Sequence, residues 1–600
     1  MAPAFPFGGM EHPGAIFYSE ERFVYRERPT RSQSLGRTAT IYHEVAHQWF
    51  GDLVTMKWFD DLWLKEGFAT YMAAKMQASM DPSSEAWKTF YLRNKPPAYA
   101  VDVTEGTTPV WQRLANLDQA KSNYGAIVYN KAPSVLKQLN YVVEEGAFRD
   151  GLRAFLRRHE YANATWRDLL DAVGTASKRN LRPWGDAYML RPGVPVIEQR
   201  VENRDGRVTR VTLIQHPARP MSGQAPWPVK LEVVAGSDGA VLAHLPVRLT
   251  AESTVVAIPD SVSANFVFAN GGDEAYALVL MDSGTVSVVE RTISGVQDGL
   301  LRAQLWGALW DLVRDARLPP ERFVRLALRE IPRERDDQIV AGILSRLTRA
   351  TTAYLTGGAQ DALTPEVEQA MWRGVADSSR SYDIRKAELD AFVRVASTPS
   401  AVVRLEGILD STAIAGAPLR SPTRWAVVTR LMALQTPNAE RRLNDEAHRD
   451  SSAEGARRAF VAGAARPDPE NKAGLFRRYF ADSTLNEDWV TASLDAFNDL
   501  GAQSLSRPYL RAALDSLPWI QRNRRIFFLG SWISAFLDGQ SDEEALRLVR
   551  EFLEGRGIPA DLRAKVLQSA DELERTVRIR RGTAAARVSD EASFSSRPPP

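Results

Sequence analysis

The chain has 600 residues, about four times an average domain, so several domains are expected. Its 44% hydrophobic and 25% charged residues suit a protein with large buried cores and exclude a disordered or fibrous one. There is no cysteine, which rules out disulfides, thiol nucleophiles and Cys-based metal sites, and 76 Lys and Arg against 74 Asp and Glu leave a charge of only +2, with no basic stripe for nucleic acid.

In chain order, the opening MAPAFPFGGMEHPG lacks a basic start and an unbroken apolar run, so it does not read as a signal peptide. GAIFYSEERFVY, at 14–25, has the β-branched and aromatic content of a strand or hairpin. From about 35 to 172 the apolar spacing is helical, and the Pro- and Gly-punctuated stretch 94–106 reads as a loop. Past Arg191-Pro192-Gly193 the period changes to alternation. VTRVTLIQH, WPVKLEVVAG and VLAHLPVRLT then predict short strands of a β-sandwich over residues 191–285. From 286 to 580 amphipathic helices recur every 15 to 20 residues, as in GLLRAQLWGALWDLVRDA and EEALRLVREFLEG. That spacing predicts an α-solenoid, with a compact irregular helical domain as the alternative. Residues 581–600 read as a disordered tail. No run reaches the 18 or so apolar residues of a membrane span. The fold class is therefore multidomain α+β, and with neither leader nor span a cytoplasmic location is expected.

The chemistry is concentrated in TIYHEVAHQWFGDLVTMKWFDDLWLKEGFATYM. His43 and His47 are four residues apart in a helical pattern, so their imidazoles share one face and can meet on one ion. Glu44 is one position round the helix, near that ion without being needed as a ligand. Glu66 starts a second helical stretch, 19 residues after His47, from which its carboxylate can supply a third ligand. Two imidazoles and one carboxylate leave a tetrahedral zinc with an open position, the pattern of a catalytic site. Either Asp60 or Asp61 could accept the outer N–H of a ligand histidine. Trp49, Trp58 and Trp63 are expected to pack between the two ligand helices.

The stretch HEVAHQWFGDLVTMKWFDDLWLKEGFATYM resembles the HExxH-x18-E signature of the gluzincin aminopeptidases of the M1 family. FPFGGMEHPG is similar to the family's exopeptidase motif, and YGAIVYNKAPSVLKQL to the stretch with its catalytic tyrosine. The resemblance runs from about residue 6 to 575. It implies a thermolysin-like catalytic domain at 1–190, then the β-sandwich, then a helical C-terminal domain. It also implies one Zn2+ per chain on His43, His47 and Glu66, with Glu44 as general base. Tyr129, preferred over Tyr124, would stabilise the tetrahedral intermediate. Glu11 would bind the substrate's free α-amine, and Gly8, Gly9 and Met10 would form the strand edge beside its first residue. The implied substrates are peptides with a free N-terminal amine.

His12 and Ala132 depart from the residues usual in these motifs. Family members also carry an N-terminal β-domain and the first catalytic strands before the exopeptidase motif. Here the chain starts almost on that motif, so the GGMEHPG strand is expected to lack a neighbour. Two other readings remain open on sequence grounds: a dual aminopeptidase and epoxide hydrolase, or an inactive truncated binding scaffold.

Overall fold

The computed structural model describes residues 1–2, 5–219, 225–482, 484–555 and 557–595, with side chains described through residue 582. It divides into two compact units, one of residues 1–24 and 33–311, the other of residues 25–32 and 312–600.

In the first unit, strands β1 (Gly9–Met10) and β2 (Phe17–Tyr18) form an antiparallel hairpin, with Gly9 opposite Tyr18 and Met10 opposite Phe17. The strand expected to be unpaired thus finds its partner a few residues downstream. Helices α1 (Arg31–His47) and α2 (Trp63–Met80) follow. The link between them contains β3 (Val54–Met56), which pairs in parallel with β4 (Ala162–Ala164). Helix α3 (Ala86–Asp102) takes residues 94–102 of the stretch predicted as a loop, leaving 103–106 as turn, and holds Pro96 and Pro97 inside it. Tertiary anchoring overrides the proline signal: Lys95 Nζ donates to the Ala275 carbonyl (2.6 Å) and the Tyr99 hydroxyl to the Ala277 carbonyl (2.8 Å). Helices α4 (Ala132–Val143), α5 (Glu145–His159), α6 (Trp166–Ser177) and α7 (Arg182–Met189) complete the helical part. Immediately before α4, Ile127–Lys131 form a π-turn, in which the Ala132 N–H reaches back to the Ile127 carbonyl.

The predicted change of period past Arg191 is realised as two sheets. A four-stranded sheet has the order β11-β5-β6-β9, built from β5 (Pro195–Arg204), β6 (Arg207–Pro217), β9 (Ser253–Ala257) and β11 (Leu278–Leu280). The other, β10-β7-β8, uses β7 (Val229–Ser237), β8 (Ala240–Leu249) and β10 (Phe266–Ala269). The β11–β5 pair is parallel and the other pairs are antiparallel, making the region mixed. Val211, Leu213, Leu231, Val233 and Phe268 are buried in its core, while β8, at an edge, alternates exposed and half-buried residues. The boundary expected at 285/286 falls inside helix α8 (Ser283–Thr292).

The second unit is almost wholly helical. Helices α9 (Asp337–Arg349), α10 (Tyr382–Val395), α11 (Ser421–Ala433), α12 (Ala453–Ala465), α13 (Glu487–Phe497), α14 (Phe528–Asp538) and α15 (Ala560–Ser595) form a row, each packed on the next. Other helices, such as Gly357–Ala376 and Ala439–Arg449, alternate with them in sequence, the arrangement expected of stacked amphipathic pairs. A core centred on Phe497, Trp532 and Phe536 closes the later part. The row lines a cavity of about 900 Å3 whose wall includes Thr351, Trp425, Arg430 and Asp495.

Two features of this unit depart from the sequence reading. Residues 25–32 were expected in the catalytic domain but are built into the helical unit. The Tyr382 hydroxyl donates to the Arg28 carbonyl (2.8 Å), the Thr423 hydroxyl to Glu27 Oε2 (2.9 Å), and the Arg31 N–H to Asp383 Oδ1 (2.7 Å). A short charged segment goes where partners for its charges exist, whatever its neighbours in sequence do. The expected tail from 581 instead continues α15 as far as Ser595, consistent with the helix-favouring run Ala584-Ala585-Ala586. Residues 596–600, also assigned to that tail, lie outside the described residues.

Candidate metal centre

Helix α1 presents His43 and His47 one turn apart, and α2 brings Glu66 to meet them. The His43 and His47 Nε2 atoms are 3.0 Å from each other, and each is 3.3 Å from Glu66 Oε2. A tetrahedral zinc with bonds of about 2.0–2.1 Å would hold its ligand atoms about 3.3 Å apart, so the trio fits that ion. The three form a single cluster of metal-ligand type, which leaves a fourth position for a non-protein ligand.

The outer ring nitrogens set the tautomers. His47 Nδ1 donates to the Phe50 carbonyl (2.9 Å), which leaves the Nε2 lone pair for a metal. His43 Nδ1 lies 3.3 Å from the Thr70 hydroxyl. The expected carboxylate partners are thus replaced by a carbonyl and a hydroxyl. Asp60 is engaged by the Leu114 N–H (2.5 Å) and Asp61 by the Trp166 N–H (3.3 Å). Only Trp63 of the three tryptophans is in the core, stacked on Phe68. Trp49 and Trp58 are exposed, and the Trp58 indole N–H donates to the Leu114 carbonyl (2.8 Å).

Glu44 is buried, and its Oε2 has no hydrogen-bond partner. With only the protein's own groups around it, burial pushes its carboxyl up to about 8; a cation held by His43, His47 and Glu66 would draw it back to the ionised form that can take a proton. An orphaned carboxylate oxygen beside the ligand cluster is costly unless something polar is to meet it there. Strand β1 runs directly over this group. A Cβ on Gly9 would lie 2.4 Å from Glu44 Oε1, so only glycine lets the backbone come this close.

Glu11, just past β1, is also buried, and with Glu44 and His47 it forms a second cluster whose ligand atoms all lie within 4.8 Å of one another. Lys65 joins the two groups: its Nζ is 2.5 Å from Glu11 Oε1 and 3.2 Å from Glu66 Oε1. Burial would raise both carboxyls. For Glu11 the His47 and Lys65 charges win, and for Glu66 the two imidazoles and Lys65 do, so both end below the usual carboxylate range. Lys65 is a site residue that the sequence analysis above does not single out. Its position directly before Glu66 was the available signal, since adjacent helical residues can straddle one site.

Tyr129, on the π-turn, has its hydroxyl hydrogen-bonded to Glu66 and its ring 6.4 Å from that of His43. Burial and the Glu66 charge hold its phenol well above the ordinary value. The Tyr124 ring is 6.3 Å from that of Tyr129, and burial raises its phenol above the ordinary value although the Lys65 charge opposes this. The turn and the start of α4 lie close on α2: a Cβ on Gly67 would be 2.9 Å from Ala132 Cβ and 3.5 Å from the Val128 carbonyl oxygen. Gly8 lies beside Arg22, and its carbonyl accepts from the Ser19 N–H (3.1 Å). The structure thus brings His43, His47 and Glu66 into one cluster and Glu11 and Glu44 into a second that shares His47, with Gly9 and Met10 on the strand over Glu44, Gly8 just before it and Tyr129 on the turn.

The Peptidase family M1 domain matches residues 1–188, and the ERAP1-like C-terminal domain matches residues 266–575. An aminopeptidase N of Streptomyces lividans is 31% identical, over 97% of this chain and 70% of its own length. A tricorn protease-interacting factor F2 of Thermoplasma volcanium is 29% identical, over 58% of this chain and 42% of its own. For a puromycin-sensitive aminopeptidase of Caenorhabditis elegans the identity is 32%, over 39% of this chain and 25% of its own. No helix among the described residues is long and apolar enough to cross a membrane. A His-His-Glu cluster spaced for zinc, an unpartnered glutamate beside it and matches over both the catalytic and the helical parts together lead to one assignment: the chain belongs to peptidase family M1, as a zinc-dependent metallopeptidase of the gluzincin type.

Proposed function

We propose that the protein removes single residues from the N-terminus of peptides that carry a free amine. When bound at His43, His47 and Glu66, zinc supplies a Lewis acid and lowers the pKa of a coordinated water. Glu44 takes the proton of the attacking water through the oxygen that has no protein partner, and later passes it to the departing amine. The Tyr129 hydroxyl donates to the oxygen on which negative charge develops. Gly9 and Met10 offer a backbone edge to the substrate's first residue, and Gly8 leads into it.

The single observation that carries the exopeptidase reading is the Glu11 carboxylate in the same small cluster as Glu44 and His47. Lys65 engages Glu11 Oε1, and Oε2 is the oxygen that pairs with a substrate ammonium. One residue then fits between that pairing point and the reacting carbonyl.

The test compares aminoacyl arylamides bearing free and acetylated amines. The free amine is cut and the acetylated one refused. Glu11→Ala raises KM for the free-amine substrate while zinc per chain stays at one. Equal cleavage of blocked and free substrates would overturn the reading whatever the metal content.

A further inference from the structure

The turn that carries Tyr129 is held by an ion pair that the chemistry above does not use. Lys131, two residues past the tyrosine, and Asp102, the last residue of α3, are both almost completely buried, with Nζ 2.8 Å from Oδ2. Every further bond of the pair is made. Asp102 Oδ2 also accepts from the Tyr276 hydroxyl (3.1 Å), and Oδ1 from the Gly193 N–H (3.1 Å) and the Thr107 hydroxyl (2.5 Å). Lys131 Nζ also donates to the Gly193 carbonyl (3.0 Å) and lies 5.7 Å from the centre of the Tyr276 ring.

Burying two charges is a poor route to stability, because desolvation offsets most of their attraction and apolar residues of like size do as well or better. What a fully bonded pair supplies is one geometry: its donors and acceptors have fixed directions, which an apolar contact lacks. The π-turn needs that restraint. With one residue more than an α-helical turn it has looser bonding, and it could relax into regular helix by rotating its side chains round the axis. Such a rotation would swing the Tyr129 hydroxyl away from Glu66 and the metal ligands.

We infer that Lys131 and Asp102 are positioning residues, an ionic clamp that holds the π-turn wound and so sets where the Tyr129 hydroxyl stands over the reacting carbonyl. The inference rests on the role proposed for Tyr129. The clamp also ties that hydroxyl to Gly193 and Tyr276, at the junction with the sheets, so the β-region takes part in holding the catalytic geometry.

The test is a set of variants in the full chain, each made with Tyr129 and with Tyr129→Phe. Asp102→Asn keeps shape and removes charge. Lys131→Met combined with Asp102→Leu removes both charges together and strands neither. With Tyr129 present, each lowers kcat about 10- to 100-fold, the scale of a misplacement near 1 Å, and leaves KM and zinc per chain within about twofold. With Tyr129→Phe already made, the same changes cause no further loss.

Equal fractional losses in the two backgrounds would overturn the clamp, as would a fall in zinc content or folded fraction large enough to account for the whole effect. Unimpaired clamp variants beside a crippled Tyr129→Phe would overturn the clamp alone. Full activity in Tyr129→Phe would overturn the tyrosine's role, and the clamp with it.

Discussion

The described residues contain two π-turns, one in each unit, and each carries a tyrosine near a carboxylate, buried in the case of Glu66 and half-buried in that of Glu572. In the first unit Ile127–Lys131 turns Tyr129 toward Glu66. In the second, Ala350–Tyr354 turns Tyr354 so that its hydroxyl donates to Glu572 Oε1 (2.6 Å). The environments of the two carboxylates differ. Glu572 is also met by Arg349 Nε (3.2 Å) and Arg314 Nη2 (3.4 Å), so its charge is balanced by the protein's own cations. Glu66 is met by two imidazoles aimed at one point and by a lysine shared with Glu11, a set that is complete only with a metal. The same backbone device therefore makes a structural tie in one place and sets a hydroxyl beside the zinc-ligand cluster in the other. A π-turn alone does not mark function; the unfinished electrostatics of what it faces does.

The largest effect belongs to the unfinished site. Glu44→Gln lowers kcat about 10²–10⁴-fold while zinc per chain is retained, measured by turnover and metal analysis on the same sample. A metal-free Glu44→Gln protein would give that residue a role in folding instead of proton transfer.

The paired test of the two turns comes next. Tyr129→Phe costs about 10²–10³-fold in kcat, as expected for loss of one donor to a developing oxyanion. Tyr354→Phe leaves kcat unchanged and destabilises the second unit by about 1.5–3 kcal/mol, the usual cost of losing a hydrogen bond to a charged group, read from denaturant unfolding. If both substitutions affected only stability, the contrast between the turns would collapse.

A smaller change probes how closely the first turn is fitted. Gly67→Ala sets a methyl group against Ala132 and costs about 1–3 kcal/mol by overpacking, with a drop in kcat as the turn is pushed off α2. An unchanged kcat would mean the turn yields without moving Tyr129.

The smallest effect is a pH dependence in the second unit. Burial would raise the Glu572 carboxyl, but Arg314, Arg349 and the Tyr354 hydroxyl outweigh it and hold it below the ordinary value. Its contribution is therefore complete above the unfolded carboxyl value, about 4.3, and is lost as pH falls through the lower folded value. Glu572→Gln flattens the fall of melting temperature below about pH 4 and leaves turnover at neutral pH unchanged. A wild-type-like acid limb in that variant would show that other carboxylates carry the effect.

The features legible in the chain alone are those set by local geometry. Four residues make about one helical turn, so His43 and His47 had to share a face. The change from helical to alternating spacing past Arg191 had to mark strands, because side chains on a strand alternate between its two faces. Recurrent amphipathic segments from 286 onward had to be helices seeking partners. Family motifs extended this to Glu11, Glu44, Glu66 and Tyr129, whose joint placement no local rule would have given.

The tertiary structure decided everything that depends on which distant group arrives at a given point. The Phe50 carbonyl and Thr70 hydroxyl, not Asp60 or Asp61, meet the outer nitrogens of the ligand histidines, because the loop after α1 folds back on His47. Lys65 reaches Glu11 across 54 positions of chain while it also meets Glu66, residues 25–32 join the helical unit, and α3 continues through two prolines because Lys95 before them and Tyr99 after them are both anchored. Spacing along a chain reports periods of two and 3.6 residues; the partners of a buried charge are chosen in three dimensions, by what else must be desolvated with it.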